Sequence, residues 1–588
     1  MPRRLVAALA LVLTAGVAVP AALAGTGSSG RCTDHTANGN CDGHKDPKTY
    51  LVGAATESIN PPQAMIDRHD FFLGGYGITS GRALNRPEAE VPGIGRYAVG
   101  ILGDGVATRA LVVSDGATAI TLAQIDTQGY FAAYKQGPFG IVDIRNHAAA
   151  QIAALRAKQG RDAGPAMGAG QILVDSNHTH GGPDTAGVWG GVPTAYLKLV
   201  HDQTVKAIVE AWQRLRPASL VYGSVRAGVE GRDPQSTDPL TTNQFLGDPN
   251  NAATDDEVRV LQAKDLATGE TIVTYVNLSA HATVLGSSNR YVTSDYTGAL
   301  SNLLAATYGG MGFHQVGTLG RSQPARTGCT TPGLTGTDSD LCALDGYAER
   351  VAKKVATALA GATPVSSGRA VVDMHSYLID DAVTNAPIFA LTYAGTAVGA
   401  PIFRSATAPW MIGNAIGSMT FSGRIGDILI SGNPGEGYPQ IPLAVRAAVS
   451  AHPGNTIRGF LSISTAGDFL GYLIAPLEAY PEPLRRSEFD GGTPPNDSSC
   501  GPAGCPSPPL GNDNYFFNPS HTFGERVTCS LLRGAGEILG QGADTYWSQY
   551  ARCLAFTTDH ALSADLDTTF PESPDLSGTP VEAAFGGR

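Results

Sequence analysis

The chain has 588 residues, with 52 acidic against 40 basic side chains and a net charge of -12. No basic stripe interrupts the acidic balance, which excludes nucleic acid as a partner. The length allows several domains, but no internal repeat or long linker marks a place to divide them.

At the N-terminus, Arg3 and Arg4 precede an apolar run over 5–19 and the small-x-small sequence Ala22-Leu23-Ala24. This order predicts a signal peptide over residues 1–24, cleaved near Ala24, and a secreted protein. No comparably long apolar segment follows, so a spanning helix is not expected. The eight cysteines suit an oxidising compartment. Local pairing is predicted: Cys32 with Cys41, Cys329 with Cys342, Cys500 with Cys505, and Cys529 with Cys553.

Residues 25–48 read as a disulfide-closed polar tail. Asp34, Asn38, Asn40 and Asp42 offer oxygen ligands for a structural Ca2+ or Mg2+. Their spacing is not that of an EF-hand, and a solvated loop is the simpler reading. The ordered domain is expected over 49–572. Apolar runs at 109–113 and 119–125 flank Ser114-Asp115-Gly116 and predict a hairpin. A helix is predicted over 142–158, with Ile152 and Leu155 on one face. Another is predicted over 195–215, where Leu199, Ile208, Val209, Trp212 and Leu215 recur at helical spacing before Pro217.

Between these helices, Ile172-Leu173-Val174 predicts a short buried strand running into Asp175-Ser176-Asn177-His178-Thr179-His180-Gly181-Gly182-Pro183. Neutral imidazole is a common zinc ligand, and two histidines at i and i+2 of an extended backbone point the same way. Alone, the pair is also compatible with two polar loop histidines.

Further strands are predicted over 258–262 and 271–278, then helices over 299–308 and 347–360. His281 follows the strand 271–278, as a ligand presented at a sheet edge or as a hydrogen-bonded core residue. A largely apolar strand over 425–430 leads to Asn433-Pro434-Gly435-Glu436-Gly437-Tyr438, where glycine lets the chain turn and leaves the Glu436 carboxylate accessible. A strand over 459–463 precedes Asp468-Phe469-Leu470-Gly471-Tyr472. Tyr472 reads either as an amphipathic core residue or as an uncommon metal ligand, its phenol acidified by a cation. The segment 491–514 is Pro/Gly-rich and reads as a surface loop, a last helix is predicted over 526–540, and 573–588 reads as a flexible tail. Strands alternating with helices predict an α/β (mixed α+β) fold: one large mixed sheet flanked by helices.

In order along the chain, these segments resemble the neutral/alkaline (non-lysosomal) ceramidase family. Asn177 to Pro183 is similar to its Thr-His-Thr-His-Ser-Gly-Pro motif, and Ala280 to Thr283 to its Val-His-Gly-Thr. Thr293-Ser294-Asp295 matches Ser-Ser-Asp, Pro434-Gly435-Glu436 matches Pro-Gly-Glu, and Gly471 to Ala475 resembles Gly-Tyr-Val-Thr-Thr. The resemblance implies one catalytic zinc held by His178, His281, Glu436 and Tyr472. It implies His180 and Arg232 as residues facing the substrate, and zinc-assisted hydrolysis of the amide bond of ceramide or another N-acyl lipid. The implied partner is a lipid-like molecule, with transient contact to a membrane surface. Two departures stand out. Gln323 occupies the serine position of the family's Gly-Asp-x-Ser-Pro, which here reads Gly320-Arg321-Ser322-Gln323-Pro324. Only a short tail follows the last predicted helix, so the family's C-terminal immunoglobulin-like domain is expected to be absent. Two other readings remain: an amidohydrolase-like metal hydrolase that recruits His314, and a non-catalytic binding protein that retains the scaffold.

Overall fold

The structure is a computed structural model. It describes residues 49–76, 96–134, 136–159, 164–187, 189–230, 237–243, 254–320, 322–365, 371–382, 415–473 and 523–548, with the isolated positions 519 and 553. The signal segment, the 25–48 tail, Arg232, the 491–514 loop, the two cysteine pairs at 32/41 and 500/505 and the C-terminal tail lie outside the described residues.

The first sheet is built from β1 (Tyr50–Ser58), β2 (Ala107–Ser114), β3 (Ala119–Ile125), β4 (Ile172–Ser176), β5 (Arg216–Val225), β6 (Val258–Asp265), β7 (Thr271–Leu278) and β8 (Met311–Val316). Its order is β8-β7-β6-β5-β1-β2-β3-β4, and Thr363–Pro364 adds a short strand beside β5. Pairing is parallel for β3–β4 and β7–β8 and antiparallel elsewhere, so the sheet is mixed as expected. Gln315 on β8 donates to Asp175 on β4 at 2.6 Å. These strands stand at opposite ends of the strand order, so the sheet must curl to bring them together.

The strands read as near-continuous apolar runs because both faces are covered. Side chains alternate between two cores. Ala110 and Val112 of β2 face one core with helices α1 (Ile141–Gln159) and α2 (Thr194–Gln213). Leu111 and Val113 face another, shared with a second sheet and a late helix. The second sheet consists of β9 (Val372–Ala382), β10 (Ala415–Ile425), β11 (Ile428–Gly432) and β13 (Gly459–Ile463), in that order. Between its last two members lies the two-residue strand β12 (Glu436–Gly437), which pairs in parallel with β14 (Tyr472–Leu473). Helices α3 (Tyr296–Tyr308) and α4 (Gly336–Ala360) close a third core over β6 and β7. Helices α5 (Gln440–Ala451) and α6 (Phe523–Ile538) pack with the second sheet.

The expected hairpin, the strand before the histidines and the helices of the first half are present. Three differences have physical causes. The expected strand over 425–430 is a hairpin: Ile425 pairs with Ile428 across Gly426-Asp427, and Gly426 takes a φ of 58° that glycine adopts without strain. Helix α4 begins at Gly336 rather than near 347; its first turn, Gly336 to Ser339, is polar and carries no apolar periodicity. The Cys329–Cys342 disulfide fastens that stretch. Strand β5 starts at Arg216 with Pro217 next to it, an allowed place for proline, and its alternate positions are partly exposed, which hides it from an apolar-run search. The second described disulfide, Cys529–Cys553, follows the local pairing. No helix among the described residues is long and apolar enough to cross a membrane.

His314 on β8 is fully buried against Tyr296, ring centroids 5.3 Å apart, and neither ring nitrogen has a partner. Burial pushes its pKa from 6.5 down to about 3. Its folded pKa is depressed, so below pH 6.5 the unfolded chain takes up a proton that the fold refuses. Its contribution is present above pH 6.5 and is lost as pH falls toward 3. His314→Phe is expected to flatten this part of the stability profile while holding neutral stability, as read from urea unfolding at pH 7 and pH 5.

Candidate metal centre

The residues singled out by sequence follow strand ends in both sheets. His178 and His180 follow β4, His281 follows β7, Glu436 opens β12 after β11, and Tyr472 opens β14 after β13. The histidine pair does not sit on extended backbone as expected. His178 has a φ of 56°, the left-handed region that costs a non-glycine residue strain and that clusters at functional sites. Asp295 and Thr465, beside the same loops, also take positive φ values. Thr465 is held by its hydroxyl, which donates to the Ser176 carbonyl at 2.7 Å.

The polar atoms converge. His281 Nε2 lies 3.2 Å and His178 Nε2 3.3 Å from Glu436 Oε2. His180 Nε2 lies 3.1 Å from His178 Nε2. Together His178, His180 and His281 form a group able to hold a metal ion. Glu436 and Tyr472 are register partners across β12 and β14, so their side chains leave the same face of that ribbon. The Tyr472 ring lies 6.4 Å from that of Tyr438.

The tautomers follow from what each ring touches. His178 Nδ1 meets only the Gln128 carbonyl, at 2.7 Å, and His281 Nδ1 meets the Ser322 carbonyl, also at 2.7 Å. A carbonyl accepts, so both Nδ1 atoms donate. In the neutral rings, Nε2 then carries a lone pair. Burial pushes the His281 and His180 pKa values down and favours neutral rings. Burial also raises the Glu436 pKa, but charge and hydrogen bonding from His178 and His281 outweigh it and keep the carboxyl ionised. With the rings neutral, the centre gathers two lone pairs and a carboxylate around one point. Such a set is relieved by a proton shared with Glu436 or by a metal ion. Two imidazoles and a carboxylate suit zinc, and their spacing is that of adjacent corners of a tetrahedral shell with bonds of ~2.0–2.1 Å. The donor set fits the ion.

Supporting contacts fix each ligand loop. Asp126, directly after β3, accepts from Arg109 at 2.8 Å, Ser294 at 2.6 Å and Asn177 at 2.9 Å. Asp295 accepts from the backbone N–H groups of Val284, Leu285 and Tyr296, pinning the His281 loop to the start of α3. Buried Arg96 donates to the His180 carbonyl at 2.5 Å and to the Gly74 carbonyl at 2.7 Å. Gly75 allows that approach, since a Cβ there would stand 2.3 Å from the His180 ring. Sequence reading missed Asp126, Arg96 and Gln128. For Asp126 the signal was available, as an acidic residue closing a largely apolar strand. Arg96 carried none. Gln323 accepts from the Thr283 hydroxyl at 2.9 Å, two residues beyond His281, so the position of the expected serine does lie beside the centre.

Comparison with solved structures follows from this geometry. Neutral ceramidase from Pseudomonas aeruginosa superposes with a TM-score of 0.54 at 15% identity, covering 84% of this chain and 75% of the other. A ceramidase complexed with C2 superposes with a TM-score of 0.55 at 16% identity, covering 84% and 76%. The chain has the neutral ceramidase fold. No family model and no curated protein matches the sequence itself. The likeness is one of fold.

Proposed function

We propose that the protein is a secreted zinc-dependent amidase that cleaves the N-acyl bond of ceramide or a related lipid. The supporting observation is the cluster of lone pairs at His178, His281 and Glu436, which needs a cation, on a fold shared with ceramidases. His178, His281, Glu436 and Tyr472 would hold the ion. When bound, zinc supplies Lewis acidity that polarises a carbonyl and lowers the pKa of water toward neutrality.

The chain's own residues divide the remaining work. The Gln128 and Ser322 carbonyls lock the His178 and His281 rings, so these two do not exchange protons. His180 is different: its Nδ1 is buried without a protein partner, and the residue as a whole is part-buried. It can take a proton at one ring nitrogen and deliver it to a leaving amine. Arg232 would add positive charge where an oxyanion develops. Gln323, held by the Thr283 hydroxyl, would put a larger amide where the family motif has serine, and substrate preference would differ accordingly.

The N-terminal pattern supports export with cleavage near Ala24, and the described disulfides suit an oxidising compartment; one catalytic domain over 49–572 and transient contact with a lipid surface belong to the same proposal. The amidohydrolase reading loses support because His314 packs against Tyr296 and does not join the ligand group. A panel of fluorogenic N-acyl-sphingosines and N-acyl-amino acids, assayed with and without chelator, tests the proposal. Hydrolysis of at least one member that chelation abolishes and zinc restores is expected. A metal-free protein inert toward the whole panel would leave only a binding role.

A further inference from the structure

A second imidazole pair lies outside the ligand loops, in a groove of about 390 Å³ between α1 and α2. His147 of α1 and His201 of α2 face each other, Nδ1 to Nε2, at 2.8 Å. The other nitrogen of His201, Nδ1, lies 2.9 Å from the Asp202 carboxylate. The carboxylate only accepts, so His201 Nδ1 carries the proton and Nε2 carries a lone pair aimed at His147. His147 Nδ1–H donates to that lone pair when no ion is bound, and an ion would take the place of the shared proton; a carboxylate behind an imidazole orients a histidine ligand and raises its basicity toward a metal.

We propose that His147 and His201 form a second metal site, one that binds a divalent transition-metal ion of the kind imidazole prefers, with Zn2+ as the ion to test. Two nitrogens from different helices would close the ion on the protein side, and the groove leaves the other positions to water. His201 is held for this role, its side chain only 10% exposed while Asp202 is 50% exposed. The Phe139 ring packs edge-on against it. Gln151, one turn after His147, lines the same groove and offers a neutral oxygen. Of the two nearby cations, Lys206 is drawn away by Glu57 at 2.9 Å and Glu210 at 3.6 Å, and Lys198 pairs with Asp202 Oδ2, leaving Oδ1 to His201. A bound ion would bridge α1 to α2, the helices beneath β1 and β2, and would stabilise the fold by mass action.

The test is equilibrium dialysis of the full-length protein against micromolar Zn2+, followed by metal quantification. His147→Gln is expected to hold one equivalent fewer than the unmodified chain, and His178→Ala/His281→Ala is expected to keep that equivalent. This pair of variants separates the groove from the ligand loops whatever the fate of the amidase reading. Asp202→Asn, at a half-exposed position, is expected to weaken binding of the same equivalent roughly 10–100-fold. Zinc content unchanged by a folded His147→Gln overturns the proposal. Should that variant fail to fold, unchanged affinity in Asp202→Asn overturns it instead.

Discussion

Glu436→Gln is expected to strip the protein of zinc and of hydrolytic activity while leaving it folded. The Glu436 carboxylate is 4% exposed and sits against Nε2 of both His178 and His281. Those nitrogens are acceptors, because both Nδ1 protons are committed to carbonyls. Glutamine has the same shape and presents an NH2 group in place of an anion. It would donate to the very lone pairs that otherwise face a cation, so the metal-free form gains hydrogen bonds. The ion loses an anionic ligand and meets a competitor for the remaining nitrogens. Zinc affinity is expected to fall by more than the roughly 10–100-fold typical of outer-shell changes. The urea midpoint of metal-free protein is expected to hold or rise. Wild-type zinc affinity in the variant would remove Glu436 from the centre.

How much of this was legible in the sequence depended on the range of the signal. His178, His281 and Glu436 were each found as a polar residue following a short apolar strand, with glycine close behind for His178 and Glu436, a local pattern. Their meeting was not local: His281 and Glu436 stand 155 positions apart, and only the family resemblance joined them. The hairpin at 109–125 was legible as two apolar runs around Ser114-Asp115-Gly116, and α2 through apolar residues recurring at helical spacing. Strands β9 and β10 were missed because their apolar content is diluted by Ser, Thr, Gly and Asp. These polar residues are accommodated inside the fold, as where the Ser418 hydroxyl donates to Asp468. The same holds at the site. Asn177, within the histidine motif, is a buried bridge to Asp126 and Thr297. Residues such as Gln128 and Ser322 contribute only a backbone carbonyl, and a contribution made by the main chain leaves no trace in side-chain identity.

The second large effect concerns Asp126. It is fully buried, pairs with Arg109 at 2.8 Å, and also accepts from Ser294, Asn177 and the Ala107 backbone N–H. Asp126→Ala would leave the Arg109 guanidinium, with a side chain 8% exposed, without its carboxylate. Breaking one side of such a pair costs about 3–5 kcal/mol, whereas replacing both sides by apolar groups is often near neutral. Asp126→Leu/Arg109→Met is therefore expected to recover most of the stability lost in Asp126→Ala, as measured by urea unfolding. A double variant as unstable as the single one would show that the charge pair is not the source of the loss. The two variants are expected to agree in a different measurement. Both release Asn177 and Ser294 from the carboxylate that holds the His178 loop near the start of α3, so both should bind zinc less tightly, by roughly 10–100-fold. Stability restored by the double variant while zinc affinity stays low would separate the two tasks of one side chain: neutralising Arg109, and fixing the strained backbone at His178.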